Sequence, residues 1–202
     1  MKKIRTKYSE AKKQKRNQMI VGIVLIFVMF GSVFGVIVGS FGQNKDNSNI
    51  KYNNIKFVEQ NDFWFANKGG LNFVFKNNPN QVEKIDVELN YFNSYENKPL
   101  YIYSEDYGAE LEVSRNFFYQ NQIVQRVQSA CLDEEADIFN LTSACETDSP
   151  IKNCADNFII IRESKDVGII QNENCVFIYG EKENLTKITD EFLFNVFGIR
   201  EQ

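Results

Sequence analysis

The sequence predicts an α+β fold. An N-terminal transmembrane helix is followed by one extracytoplasmic domain, in which a mainly antiparallel sheet packs against two helices. Three observations lead there. Met19–Phe41 is an uncharged apolar run. Most of the chain beyond it breaks into short β-branched and aromatic runs separated by polar turns. Two segments instead carry apolar residues near helical intervals. The resulting order of strands, helix, strands and helix describes one sheet covered by two helices.

Ile55–Glu59 and Phe63–Ala66 read as the first strands, and Asn67-Lys68-Gly69-Gly70 supplies turn chemistry before Leu71–Lys76. Ile85, Val87, Leu89 and Tyr91 alternate with polar residues, the period of a half-buried strand. Leu100–Ser104 adds another. Ser114 is the expected N-cap of the first helix, with Phe117, Asn121, Val124, Val127 and Cys131 following near helical spacing. Asn157–Ile161, Val167–Ile170 and Val176–Tyr179 read as three strands joined by polar turns. Leu185, Ile188, Phe192, Val196 and Ile199 form the apolar stripe of a closing helix. No repeat of fixed period is visible.

A length of 202 residues suits one domain plus an anchor. Hydrophobic content of 43% and aromatic content of 14% suffice for a packed core. Charge is divided unevenly. Lys2, Lys3, Arg5, Lys7, Lys12, Lys13, Lys15 and Arg16 face only Glu10 in the first eighteen residues, whereas the whole chain has 23 Lys and Arg against 27 Asp and Glu. The remainder is therefore strongly acidic, which argues against a nucleic-acid partner, since phosphate neutralisation needs clustered cations. The absence of His removes the commonest general base and metal ligand.

The 23 residues of Met19–Phe41 have only Ser32 and Ser40 as polar side chains. At about 1.5 Å per residue they span a hydrocarbon core of roughly 30 Å. Basic residues flanking a membrane segment stay in the cytoplasm. The expected order is thus a basic cytoplasmic tail (1–18), a transmembrane helix (19–41), a flexible Asn-rich linker (42–54) and an extracytoplasmic domain (55–202), with the lipid bilayer as first partner. The rival reading is a cleaved signal peptide, with Val38 and Ser40 at small-residue positions before a cut. The apolar run exceeds the roughly 7–15 residues of a signal core, which favours an uncleaved signal-anchor. Gly31, Gly35 and Gly39 lie four apart and would share one helix face, where a second copy or another membrane protein can approach closely. Glycine is also simply frequent in membrane helices.

Cys131, Cys145, Cys154 and Cys175 all lie in the outer domain, and an even count there reads as two disulfides. Metal and thioredoxin-type readings lack both His and a C-x-x-C. Of three possible pairings, Cys131–Cys145 and Cys154–Cys175 are expected. The second requires the strands that follow Cys154 and begin at Cys175 to be neighbours, or the lead-in chain to bend, so that the Cα atoms come within about 7 Å. Asn140-Leu141-Thr142 and Asn184-Leu185-Thr186 are glycosylation sequons on the outer side. Asn184 equally suits the cap of the last helix. The acidic run Asp133, Glu134, Glu135 and Asp137 offers carboxylates to a hard cation, but a solvated loop explains it more simply. Phe63, Trp64, Phe65, Tyr101, Tyr103 and Tyr107 offer stacking surface for sugars, or form core and cross-strand pairs. No nucleophile elbow, phosphate loop or interpretable carboxylate pair is present, so no catalytic residue and no cofactor is expected.

The basic-tailed anchor combines with Phe73-Val74-Phe75 before Asn78-Pro79, Pro150-Ile151-Lys152-Asn153-Cys154, Asn174-Cys175-Val176-Phe177-Ile178 and Phe194-Asn195-Val196-Phe197-Gly198-Ile199. Together these features resemble a family of uncharacterised small single-pass membrane proteins of archaea with reduced genomes. The resemblance covers most of the chain. It implies an anchored, disulfide-containing outer domain and carries over no catalytic role. The expected function is a non-enzymatic binding or complex-stabilising envelope module. A pilin-like subunit and an extracytoplasmic enzyme without a recognisable motif are the alternatives. Asn17 or Gln18 stands where pilin processing usually finds Gly or Ala.

Overall fold

The computed structural model describes residues 48–133 and 148–200, all within the unit Asn47–Gln202. The architecture is α+β, with antiparallel strands and two helices as expected, but the strands are divided between two principal sheets. The first sheet is β1 (Asn49–Tyr52), β2 (Ile55–Gln60), β3 (Phe63–Lys68) and β4 (Leu71–Phe75), antiparallel in chain order. Its three turns each place two residues at positive φ: Asn53 and Asn54 (44° and 62°), Asn61 and Asp62 (51° and 63°), Gly69 and Gly70 (60° and 84°). Two consecutive left-handed residues match the twist of a tight hairpin, and Asn, Asp and Gly tolerate them best. Strand β1 therefore occupies part of the stretch read as a tether. Asn53-Asn54 is a hairpin turn, and Ile50 and Tyr52 pack against the core.

The second sheet contains β5 (Pro99–Ser104), β6 (Arg126–Ser129), β9 (Phe158–Glu163), β10 (Gly168–Asn172) and β11 (Cys175–Gly180) in the order β10-β11-β9-β5-β6. Only β10 and β11 pair antiparallel; the other three pairings are parallel. Two-residue strands β7 (Cys131–Leu132) and β8 (Ile151–Lys152) form a separate parallel ladder. The three late strands do not form a meander, because β11 sits between β9 and β10. The reason lies in their side chains. FIIIRE and CVFIYG are apolar on both faces and need cover on both, which only central positions provide. Ile159, Ile161, Val176 and Ile178 face the main core, while Phe158, Ile160, Cys175 and Phe177 face a second cluster.

Helix α1 (Tyr107–Ser114) begins earlier than expected. Asp106 caps it, accepting the Ala109 N–H at 2.7 Å. The helix continues as a π-helical turn, Arg115–Tyr119, and Gln122 at φ 50° ends it. Ser114 closes α1 rather than opening a helix, and Val127 and Cys131 lie in strands. Asn116 and Asn121, on and just after this turn, act as substitute strand partners for β4. Asn116 bonds the N–H and C=O of Val74, and Asn121 bonds those of Asn72, at 2.9–3.0 Å. The segment 76–98 crosses from the first sheet to the second. Ile85, Val87 and Leu89 pack on the core, but Tyr91 is exposed, and among the described residues the segment forms no strand, so the expected strand is absent there.

Helix α2 (Leu185–Val196) lies against both sheets. Phe194 meets Phe57 and Phe75 of the first sheet, and α2 also packs on β9, β10 and β11. Gly198 at φ 61° ends it, with the Ile199 N–H returning to the Phe194 carbonyl at 2.7 Å. The Lys68 ammonium donates to the carbonyls of Phe197 and Gly198.

Candidate functional site

Residues Ile188 to Val196 of α2 are all buried. A helix buried nearly all round must satisfy its polar side chains internally. Glu191 accepts from Arg200 Nε at 2.6 Å, Asn195 Nδ2 at 3.1 Å and the Ile85 N–H at 3.3 Å. Arg200 also donates to the Tyr52 hydroxyl at 2.8 Å and to the carbonyls of Pro79 and Val82 at 3.0 Å. Burial pushes the Glu191 carboxyl pKa up, and Arg200 pulls it back. The pair pins the chain end and the 79–85 segment to α2.

The neighbouring Asp190 faces α1. Its Oδ2 accepts from the Asn77 backbone at 2.8 Å and side chain at 2.9 Å. Glu112 Oε1 accepts from Arg115 at 2.5 Å. The remaining oxygens, Asp190 Oδ1 and Glu112 Oε2, are buried without a hydrogen-bond partner among the described residues, and the two carboxyl groups interact electrostatically. Burial, reinforced by the Glu112 charge, raises the Asp190 pKa well above 3.8. Neither carboxyl lines the grooves described below; the pair joins α1 to α2.

A raised folded-state pKa gives stability that is complete below the unfolded value and is lost as pH rises through the folded one. The melting temperature is therefore expected to fall as pH climbs above about 4. Asp190→Asn removes the titrating carboxyl and should flatten that fall. A slope identical to that of the unchanged protein in thermal melts across pH would refute the raised Asp190 pKa.

Two openings lie beside β10. One, of about 720 Å³, is lined by Lys84 to Asn90 with Gln171 and Asn195. The other, of about 520 Å³, is lined by Gln81 to Ile85 with Val167, Asn184, Lys187 and Ile188. They adjoin at Lys84 and Ile85. The segment between them is held by Arg200 at Val82, by Glu191 at Ile85, and at Asn90, which bonds Gln171 Oε1 at 3.1 Å and the Glu173 carbonyl at 3.3 Å. Strand β10 is a sheet edge of sequence GIIQN, without charge or proline. Edge strands are normally guarded by such residues or by a covering element. Here β1 and β6 carry Lys51 and Arg126, and β4 has its asparagine partners. Val167 and Ile170 are exposed at the β10 edge.

Of the site residues read from the sequence, Cys154 and Cys175 are joined, S–S 2.16 Å and Cα–Cα 4.8 Å. Their closeness follows from the parallel pairing of β9 and β11, which sets Cys175 opposite Phe158, and from the lead-in chain, where the Asn174 N–H donates to the Cys154 carbonyl at 3.2 Å. Cys131 is disulfide-bonded; its expected partner Cys145 lies outside the described residues. So do Gly31, Gly35, Gly39, Asn140, Glu134, Glu135, Asp137 and the predicted span Met19–Phe41. Among the described residues no helix is long and apolar enough to cross a membrane, and no cluster suited to a metal ion is found. Asn184 precedes α2 without a side-chain cap bond, its amide near Glu181 Oε2 at 3.5 Å, so capping does not occupy the sequon. The aromatics do not form one surface. Trp64 is in the main core, Tyr101 and Tyr103 are on the opposite face of the second sheet, and Tyr107 is exposed.

Sequence reasoning missed the carboxyl pair because Glu112 and Asp190 come from helices far apart in the chain. The β10 edge did leave a signal: an uncharged run set between charged flanks. No family model, curated protein or solved structure matches the chain.

Proposed function

We propose that the protein is a membrane-anchored extracytoplasmic binding module that engages its partner along β10 and the groove beside it. The observation that carries this reading is a strand edge that carries no charge or proline and is bordered, among the described residues, by a groove. Unpaired main-chain groups there give affinity through strand addition, and the adjoining cavities accept side chains. The apolar run Met19–Phe41 behind a basic tail supplies the anchor. The Cys154–Cys175 bridge suits an oxidising exterior. The resemblance to small single-pass archaeal membrane proteins agrees with both.

A photo-reactive residue placed at Val167 of the full chain should give a discrete adduct in intact membranes. The same residue at Tyr119, equally solvent-facing on the π-helical turn, should give none. Absence of the Val167 adduct, or equal labelling at both positions, would refute the reading.

A further inference from the structure

We propose that the outward face of the first sheet rests on anionic headgroups of the lipid bilayer into which the chain is anchored. This rests on the anchor in the reading above and is independent of the contact along β10. Ile50, Phe57, Ala66 and Phe73 lie on the core side of the sheet, so the positions alternating with them face away. There Val58, Phe65 and Val74 stand opposite one another in an apolar row. Phe65 is exposed, and Phe63, two positions before it, shares its side. Cations stand on both sides of the row. Lys51 and Lys56 are direct cross-strand partners, and both are exposed. The Lys76 ammonium and the Arg115 guanidinium lie over the Phe63 ring, 5.0 Å and 4.6 Å from its centroid. The four strands contain one acid, Glu59, and it pairs with Trp64 on the core side. The outward strand positions thus hold no acid, in a domain where acids outnumber bases.

Like charges directly opposite weaken a sheet. The Lys51–Lys56 pair therefore strains the β1–β2 ladder unless an anion lies against it. Lipid phosphates supply that anion, and aromatic side chains favour the headgroup level. Chain reach selects the occupant. Seven residues, 42–48, separate Phe41 from β1, and fully extended they reach about 25 Å. A bilayer surface is within that reach in every anchored copy, and tethering of this kind lets a weak contact persist.

The test is amine footprinting of the full, unaltered chain in vesicles, with a membrane-impermeant acylating reagent and mass spectrometry. Phosphatidylglycerol vesicles are compared with phosphatidylcholine ones. Acylation of Lys51 and Lys56 should slow about fivefold in the anionic vesicles, the effect of one cation at such a surface. Exposed Lys165, between β9 and β10, should react equally in both and normalises the rates. Phe65→Trp gives a second reading, since Trp64, the other indole, is in the core. Lipids brominated near the headgroup should quench that variant's fluorescence in the anionic vesicles. Equal acylation in the two vesicle types, or no quenching, overturns the proposal. Protection in native membranes without protection in phosphatidylglycerol assigns the face to a protein and overturns it as well. Resistance to alkaline extraction reports the anchor separately. A retained chain with unprotected lysines loses this inference alone, whereas a chain that washes off loses the anchor and the inference together.

Discussion

Arg200→Leu should cost the domain about 3–5 kcal/mol, because it strands a buried carboxylate. Glu191 would keep only Asn195 and the Ile85 N–H. Tyr52 and the carbonyls of Pro79 and Val82 would lose their donor. The loss is large against a typical net stability of about 5–15 kcal/mol. Removing both charges, with Glu191→Leu added, should recover much of it, since a well-packed apolar pair often matches a buried ion pair. Urea unfolding of the three variants measures this. A single-variant loss under about 1 kcal/mol would show that the pair is not the clamp described.

Breaking the Cys154–Cys175 bridge is the second large effect. Its loop spans 21 positions, and closing a loop of that size restrains the unfolded chain by about 3 kcal/mol in the entropic model. The double substitution Cys154→Ala and Cys175→Ala isolates this bridge from the one at Cys131. Its denaturation midpoint should fall accordingly, with the β9–β11 register kept by Ile159, Ile161, Val176 and Ile178 inside the core. An unchanged midpoint would contradict the assigned stabilisation.

Much of the fold was legible because local chemistry and tertiary structure agree there. Gly69-Gly70 marks a hairpin turn, the alternation at Ile85, Val87 and Leu89 reports burial, and the stripe from Leu185 marks α2. Where the reading failed, a tertiary partner decided the outcome. Asn53-Asn54 belongs to a polar run that looks like linker, yet it turns β1 onto β2. The helical spacing of Phe117 to Cys131 was fortuitous: Asp106 starts α1, and Gln122 redirects the chain into β6. Strand order was beyond local reasoning, because burial on both faces puts β11 in the centre and leaves β10 outside. The candidate site shows the same division. Cys154 and Cys175 were readable from compartment logic. The groove beside β10 is made by segments that meet only when the 76–98 crossover is held by Arg200, Glu191 and Gln171.

The central claim is that the described domain is displayed outside the membrane on an N-terminal anchor. Protease added to intact cells, with fragments sized by antibodies to each end, tests it most directly. The account predicts that everything from about Ser48 onward is removed and that a small stub bearing Lys2–Arg16 survives. A domain that resists cleavage while a control outer protein is cut would contradict it.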